Sequence, residues 1–279
     1  VPIVWHIREP QGSNSTVNWW HGKQVKSLAS HVIANSHHVA HQYRGATPIS
    51  VIHNAVDKSL FSPKPDHARS GIRASLGLPL ESPVVGLIGA VSVQKGHYFL
   101  LEAATNLVKV VPNVRFLIIA GGLGDGHSNT IRSKIKKFAG LPLDEFENLQ
   151  RQIENRGLTD HFVFTGFRSD IAEMITAMDV LSFLSIIPEG FGRPLVEAMA
   201  MACPIVATDF DATREIVGIG TAKLVRPGDV EGLASALESI LIDAPLSRTM
   251  GENGRMRFLK NFEMKNMVRK VVDVYNRIL

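Results

Sequence analysis

The amino-acid sequence predicts an α/β fold built on parallel sheets, and three observations support this. Short apolar runs of four to seven residues recur along the chain, and helical patterns separate them. Many of the runs are continuous and rich in β-branched residues, as expected for strands that helices cover on both faces. Alternation of this kind is typical of parallel sheets with right-handed crossovers. The predicted strands are residues 2–7, 31–34, 49–53, 83–89, 114–120, 162–165, 179–184, 204–207 and 221–225.

Helical patterns fill several of the intervals between these strands. The last segment has Phe262, Met267, Val271 and Val274 at helical spacing. Such spacing is typical of an amphipathic helix, and we predict one that packs on the body of the protein. The predicted helices are residues 97–110, 128–139, 144–156, 194–202, 229–242 and 262–278.

A stretch rich in proline and glycine divides the chain. Pro63, Pro65, Gly77 and Pro79 leave only one short helical stretch there, which is typical of a domain boundary. Because Val1 leads directly into a strand, we expect an upstream part of the first domain to be missing. The predicted segments are a first domain piece (1–57), a linker (58–82), a second domain (83–258), and a C-terminal helix that packs back toward the N-terminal side (259–279).

The composition excludes several classes of protein. Hydrophobic residues make up 45% and charged residues 20% of the 279 residues, so the chain can bury a sizeable core. A net charge of +4 is small for this length, and we predict no nucleic-acid partner. Cys203 is the single cysteine, so no internal disulfide can form, and a reducing compartment is favoured. No run reaches 18 apolar residues, so no membrane-spanning helix is predicted.

Residues 185–203 carry the strongest functional signal. A predicted strand ends there, a loop with Gly190 and Gly192 follows, and a proline stands at a first-turn position of a helix. This order leaves free N–H groups and a positive dipole end at one place, which suits a phosphate. Glu197 repels phosphate but can accept hydrogen bonds from a ribose diol, and Glu189 can accept one from a sugar hydroxyl. The alternative is an ordinary glycine turn with Glu197 at the surface.

The run from Glu189 to Glu197 resembles the E-x7-E motif of glycosyl transferases group 1. This is a large family of retaining, nucleotide-sugar-dependent glycosyltransferases with GT-B architecture. Further segments resemble other parts of the family in the same order along the chain, which makes the set more specific than any one piece. They are Val51–Asp57 with Phe61, Gly86–Gly89 with Lys95 and Gly96, Phe162–Phe167, Pro204–Thr208, Glu215–Val217 and Leu224–Asp229.

The resemblance implies two Rossmann-like domains that face each other across a cleft. Residues 1–57 would be the remnant of an incomplete N-terminal, acceptor-side domain, and residues 83–258 would form the C-terminal domain that binds the donor. The co-substrate would be a UDP, GDP or ADP sugar, without a metal or another cofactor. The acceptor would be a glycan or a lipid-linked molecule.

The family also implies roles for individual residues. Glu197 would hold the ribose, and the base would lie near Gly166 and Phe167. Lys95 and Glu189 are the implied catalytic residues: Lys95 would neutralise the departing diphosphate, with a solvated loop lysine as the alternative, and Glu189 would hold a donor-sugar hydroxyl. The implied donor-binding residues are Gly166, Phe167, Gly190, Phe191, Gly192, Arg193, Leu195, Val196 and Glu197.

The sequence departs from the family pattern near this lysine. Ala90 stands where the family commonly has an arginine, so half of the usual cationic clamp is absent unless Arg168 or Arg193 substitutes for it. No carboxylate is placed as a covalent nucleophile. We therefore hypothesise front-face attack, in which the acceptor hydroxyl gives its proton to a departing diphosphate oxygen.

His6 and Arg8 are the candidates on the acceptor side, because the family often has a histidine where Arg8 stands. The alternative is that Arg8 pairs with Glu9 while His6 packs within its strand. A basic helix over 128–139 suggests an acceptor or membrane-surface element, although a solvated helix face is favoured. The predicted location is the cytoplasm, with peripheral contact at the inner membrane face as a further option.

Two clusters resemble metal sites, and we predict that neither binds a metal. Asp209 and Asp211 form a D-x-D pattern, but one of these carboxylates is better placed as the cap of a helix over 212–217. His37 and His41 stand one turn apart on a helix capped by Ser36, without an evident third ligand.

Two rival functions remain open at this point. One is a non-catalytic nucleotide-sugar-binding module, or the donor-binding fragment of a larger enzyme. The other is a dinucleotide-dependent oxidoreductase of the same fold class, which rests on a weak glycine loop at residues 122–126.

Overall fold

The computed structural model describes residues 1–10, 15–43, 45, 48–120 and 145–279. In these ranges two parallel sheets hold all nine strands, one with the order β1-β2-β3 and one with the order β6-β5-β4-β7-β8-β9. All nine strands were predicted, each within two residues at either end. They are β1 (Val4–Ile7), β2 (His31–Ala34), β3 (Ile49–Val51), β4 (Val84–Ile88), β5 (Arg115–Ile119), β6 (Phe162–Gly166), β7 (Val180–Phe183), β8 (Ile205–Thr208) and β9 (Ala222–Val225).

The described ranges contain eleven α-helices, and the predicted helix over 97–110 agrees with the structure at both ends. The predicted helix over 128–139 and the glycine loop at 122–126 lie outside the described residues. The helices are α1 (Ser15–Leu28), α2 (His37–Gln42), α3 (Asp66–Ser75), α4 (His97–Val110), α5 (Glu145–Asn155), α6 (Ile171–Ala177), α7 (Arg193–Ala200), α8 (Asp211–Val217), α9 (Val230–Ile242), α10 (Ala244–Asn261) and α11 (Met264–Ile278).

Helix α10 has no counterpart among the predicted helices, because two glycines interrupt its pattern. Gly251 and Gly254 are both buried within it. A Cβ at Gly251 would overlap the carbonyl oxygen of Ala202, and one at Gly254 would lie 3.3 Å from Met199 Cγ. The glycines therefore lower the intrinsic helix propensity but let α10 pack closely on α7 and the turn after it.

The predicted cap of α8 is wrong. The helix begins at Asp211, its N-cap residue is Phe210, and no side chain caps it. Both candidate carboxylates face Arg214 instead: Arg214 Nη2 donates to Asp209 Oδ2 at 2.7 Å, and Arg214 Nη1 lies 3.4 Å from Asp211 Oδ1. Pairing with this arginine takes the place of capping.

Residues 58–82, predicted as a linker, pack against the part of the protein built on the larger sheet. Helix α3 lies against α6, and the buried guanidinium of Arg73 donates to Ala177 O at 3.0 Å and Ser82 O at 2.9 Å. It also pairs with Asp179 at 2.7 Å. Charge-assisted bonds to a buried arginine are among the stronger ones in proteins, so this segment forms part of the packed body.

Helix α11 packs on the three-stranded sheet. Val274 is buried against Ile33 and Ile52 from β2 and the end of β3. A single parallel bridge between Val56 and Glu263 precedes the helix and links it to the chain that enters the larger sheet. Among the helices in the described ranges, none combines the length and the apolar character needed to span a bilayer.

Candidate functional site

The strand order of the larger sheet changes direction between β4 and β7. Along the chain β4 leads to β5 on one side, whereas β7 leads to β8 on the other. The chain therefore continues from β4 and β7 to opposite sides of the sheet, and the crevice at such a point is where open α/β sheets bind ligands. Residues 89–96 and 184–192 form the two loops that follow β4 and β7.

Glycine is required where the two loops meet. Gly96 is the N-cap residue of α4 with φ +80°, and a Cβ there would overlap the carbonyl group of Leu184 in the β7 loop. Gly192 is the N-cap residue of α7 with φ +82°. Left-handed backbone of this kind favours glycine. As a result, the N-termini of α4 and α7 both open onto the crevice, where their dipoles favour an anion.

Lys95 and Glu189 meet between these helix N-termini. Lys95 Nζ lies 2.9 Å from Glu189 Oε2. The other carboxylate oxygen, Oε1, is buried and has no hydrogen-bond partner among the described residues. A buried unpaired acceptor is costly, so Glu189 can accept a hydrogen bond from a ligand hydroxyl there.

Glu197 lies one turn into α7 and is buried, which rules out the alternative of a surface residue. Arg193 Nε donates to Glu197 Oε1 at 2.7 Å, while most of the Arg193 side chain is exposed. Burial raises the pKa of Glu197 above its ordinary value, although the charge and hydrogen bond of Arg193 act in the opposite direction. A carboxylate accepts more than one hydrogen bond, so Glu197 keeps acceptor capacity for a hydroxyl donor.

We expect donor binding to weaken as the pH falls. The loss should begin at a higher pH than the pKa of an ordinary glutamate would predict. If the Glu197 carboxylate accepts hydrogen bonds from a ribose diol, protonation removes acceptor capacity, and its raised pKa moves that loss upward in pH. Calorimetric titration of a nucleoside diphosphate sugar between pH 4 and 8 measures this. Glu197→Gln is expected to bind more weakly and to lose this inflection, and an unchanged inflection in this variant would contradict the assignment.

The side chains of Phe191, Leu195 and Val196 are buried in the core, so only their backbone can face a donor. The Leu195 N–H already donates to Gly192 O at 3.1 Å. The Phe191 ring lies 6.1 Å from the His53 ring and belongs to the buried core. The backbone N–H of Leu195, one of the predicted donor-binding groups, therefore already has a hydrogen-bond partner.

Gly166 and Phe167 stand at the carboxyl end of β6, at the edge of the sheet. Gly166 has φ +73°, and Phe167 is 80% exposed. Arg168 is held by Asp170, its Nε donating to Asp170 Oδ1 at 2.8 Å. Phe167 thus presents a bare aromatic face at the same end of the sheet as the crevice. Arg168 and Arg193 were the two candidates to supply the cation missing at Ala90. Of these, Arg193 stands at the start of α7.

The glycine loop also touches the smaller sheet. Ser36 Oγ donates to Gly190 O at 2.7 Å, and a Cβ at Gly190 would lie 2.6 Å from Arg8 O. Asn35 Nδ2 donates to the same Arg8 oxygen at 2.6 Å. Ser36 was predicted only as a helix cap, which it also is, because Val39 N–H donates to its Oγ at 3.2 Å. No sequence signal indicated Asn35.

Glu215 forms a second link between the two sheets. Its carboxylate accepts from the backbone N–H of His37 at 2.9 Å and lies 2.6 Å from His53 Nε2. Burial raises the pKa of Glu215, but the hydrogen bonds from His53 and His37 outweigh this, and the pKa is lowered overall. Glu215 belonged to the quoted family segments, but its contact with His37 had no sequence signal.

Comparison with known proteins assigns the family. The model of glycosyl transferases group 1 matches residues 68–257, more than half of the chain. The chain belongs to this family. The α/β class is thereby refined to the GT-B fold that the resemblance implied.

Relatives of this family are 27–29% identical to the chain over the aligned residues. The mannosyltransferase LpsB of lipopolysaccharide core biosynthesis from Rhizobium meliloti is 27% identical over 83% of this chain and 62% of its own length. A D-inositol 3-phosphate glycosyltransferase from Corynebacterium kroppenstedtii is 29% identical over 81% of this chain and 48% of its own. The chain therefore spans about half to three-fifths of the length of these relatives.

The crystal structure of Anabaena HepE in complex with UDP and glucose superposes on this group 1 glycosyltransferase chain with a TM-score of 0.85. The two are 26% identical, and the match covers 99% of this chain and 71% of HepE. HepE has also been solved with UDP-glucose. No comparison tests the roles of individual residues, which stay predictions.

His6 and Arg8, the candidates on the acceptor side, stand at the carboxyl end of β1. His6 is exposed rather than packed, and its Nε2 lies 3.2 Å from the Tyr275 hydroxyl of α11. No ion pair joins Arg8 to Glu9 among the described contacts. Both candidates line one pocket beside α11, and the backbone of Arg8 approaches the glycine loop at Gly190.

The clusters weighed as metal sites do not assemble one. Within residues 1–10, 15–43, 45, 48–120 and 145–279, no group of three or more His, Cys, Asp or Glu side chains could hold a metal ion. Asp209 and Asp211 face Arg214, and His37 lies against Glu215 through its backbone.

Proposed function

We propose that this protein transfers a hexosyl residue from a nucleoside diphosphate sugar to an acceptor hydroxyl, with retention of anomeric configuration. The contact between Lys95 and Glu189 carries the proposal. This contact joins a cation to a carboxylate that has one unpaired oxygen. Both residues belong to the loops at the switch point of the sheet, next to the N-terminus of α7. Family membership and the HepE complex with UDP-glucose support a UDP-hexose as the first donor to test, with GDP and ADP sugars as alternatives.

Donor binding would replace the contact between Lys95 and Glu189. The ammonium group of Lys95 pairs with the diphosphate instead of with Glu189. Glu189 can then accept hydrogen bonds from hydroxyls of the transferred sugar. Glu197 accepts from the ribose, and Arg193, anchored on Glu197, supplies the second cation that Ala90 lacks. The exposed ring of Phe167 stacks on the base.

In the reaction the bond between the anomeric carbon and the diphosphate oxygen breaks, and the acceptor oxygen bonds to the same face of that carbon. The acceptor proton passes to the departing diphosphate oxygen. Lys95 and the N-terminal amides of α7 stabilise the charge that develops there, which is commonly a large catalytic contribution. These residues provide charge and position, and no covalent intermediate forms.

We propose that the reaction requires no metal ion and no cofactor besides the donor. The support is that Lys95, Arg193 and the helix N-terminus provide positive charge for the diphosphate, while Asp209 and Asp211 are occupied by Arg214. We therefore expect a chelator to leave the transfer rate unchanged. Chelator inhibition that added Mg²⁺ reverses would contradict this.

The stereochemistry tests the proposal directly. From UDP-α-glucose we expect the α-linked product, followed by proton NMR of the anomeric signal. Transfer with a β-linked product would overturn retention. Calorimetric binding of UDP-glucose without hydrolysis or transfer would favour the non-catalytic binding module, and selective binding of NAD would favour the oxidoreductase.

The acceptor we propose is a glycan or a lipid-linked molecule, received on the side of His6 and Arg8. Peripheral contact with a membrane surface also remains a proposal. The basic helix that suggested it, over 128–139, lies outside the described residues.

A further inference from the structure

A pocket of about 210 Å³ lies where the strands of the smaller sheet end and α11 crosses them. The carboxyl ends of β1, β2 and β3 provide one side, and α11 provides the other. Parallel α/β sheets bind ligands at this end. Its lining residues include His6, Arg8, Asn35 and Asn54 from the strand ends and Val268 and Val272 from α11.

Asn35 gives this pocket an unsatisfied hydrogen-bond acceptor. Its side-chain Nδ2 donates to Arg8 O at 2.6 Å, whereas its Oδ1 is buried and has no partner among the described residues. Asn35 is only 4% exposed. Buried amide oxygens are almost always hydrogen-bonded, so a donor group from a ligand, such as a hydroxyl, would complete this site.

The wall contributed by α11 is apolar. Met267, Val268, Val271 and Val272 form it, and Val268 and Val272 remain 48% and 47% exposed. The polar groups come from the strand ends, on His6, Arg8, Asn35 and Asn54. The pocket thus has hydrogen-bonding groups on one side and aliphatic surface on the other, which matches an amphiphilic molecule.

The polar side of this pocket adjoins the donor crevice. Arg8 and Asn35 share a hydrogen bond at the carbonyl oxygen that Gly190 approaches, and Ser36 is bonded to Gly190 O. Glu189 immediately precedes Gly190 in the chain. A hydroxyl held at Asn35 therefore lies beside the loop that would carry the donor sugar.

We propose that this pocket binds an amphiphilic acceptor, with a hydroxyl of its polar part donating to Asn35 Oδ1 and its aliphatic part lying on Val268 and Val272. The inference rests on the proposed function and narrows its acceptor class. Asn35 is a specificity-determining residue for the acceptor, and α11 selects acceptors that carry a hydrocarbon chain.

Binding of methyl, butyl and hexyl glucosides, measured by ligand-observed NMR below micelle-forming concentrations, tests the apolar wall. Burial of each methylene contributes about 0.8 kcal/mol, which corresponds to an affinity gain of up to about fourfold per carbon. Val268→Ser should flatten this dependence. Val110→Ser, a matched change at an exposed valine of α4, should leave it intact. The proposal would be overturned if affinity depended on chain length equally in the wild-type protein and in Val268→Ser. It would also be overturned if affinity did not depend on chain length in the wild-type protein.

Asn35→Ala tests the polar side. Loss of one hydrogen bond should lower the affinity for all three glucosides by about 2- to 12-fold without changing their ratio, from a net contribution of about 0.5–1.5 kcal/mol. The urea unfolding midpoint identifies a merely structural effect, because Asn35→Ala also removes the hydrogen bond from Asn35 Nδ2 to Arg8 O. Unchanged affinity in Asn35→Ala would exclude the role of Asn35.

UDP-glucose titration of the same protein separates the two levels of inference. If UDP-glucose binds and is turned over but glucoside affinity ignores chain length, the amphiphilic pocket is wrong and the proposed function stands. If UDP-glucose and other nucleotide sugars do not bind, the proposed function fails, whatever the glucosides do.

Discussion

Lys95→Ala is expected to lower the turnover number for sugar transfer about 100- to 1,000-fold, which corresponds to about 2.7–4 kcal/mol of lost transition-state stabilisation. Lys95 precedes the N-terminus of α4 and contacts Glu189 in the loop before α7. In the proposed reaction, negative charge develops there as the diphosphate departs. Initial rates with UDP-glucose at saturating acceptor measure the effect. Turnover at the wild-type level would contradict the role of Lys95 and favour a loop lysine without function.

Two further variants separate catalysis from structure at this position. Lys109→Ala removes an exposed lysine from the last turn of the same helix, α4, and should leave turnover unchanged. Lys95→Ala also leaves Glu189 Oε2 without its 2.9 Å partner. Lys95→Arg keeps a positive charge beside Glu189, so we expect it to retain more turnover than Lys95→Ala.

The strands were predictable because of where they lie. Parallel strands covered on both faces must be apolar throughout, so runs such as 84–88 and 180–183 are visible without an alignment. Helix α10 was missed for the converse reason. Gly251 and Gly254 lower local helix propensity, and only the contact with Ala202 and Met199 shows why they are there.

The candidate site was predictable where it depends on short segments. A glycine loop and a helix start are local features, so Gly190, Gly192 and Glu197 could be identified from the sequence. Contacts between distant segments could not. Lys95 and Glu189 are 94 positions apart, and pairing between Ser36 and Gly190 spans 154. Only the fold decides which partner each side chain meets, and Asn35 depends wholly on such a contact.

Gly96→Ala is expected to lower the free energy of unfolding by about 2–5 kcal/mol, a large part of the 5–15 kcal/mol that typically stabilises a domain. Two causes combine. A left-handed backbone costs an L residue about 1–2 kcal/mol, and Gly96 has φ +80°. In addition, the new Cβ would overlap the Leu184 carbonyl group, and overpacking typically costs about 1–3 kcal/mol. Urea unfolding followed by circular dichroism measures the loss.

Gly77→Ala separates these two causes. Gly77 also has a left-handed backbone, with φ +67°, but a Cβ there would meet nothing within 4 Å. It should therefore cost only the backbone contribution of about 1–2 kcal/mol and leave UDP-glucose affinity unchanged. Gly96→Ala should also weaken UDP-glucose binding, because Leu184 belongs to the loop that carries Glu189. Equal losses of stability in the two variants would mean that the β4 and β7 loops are not held together at Gly96, and the pairing of Lys95 with Glu189 would then lose its structural support.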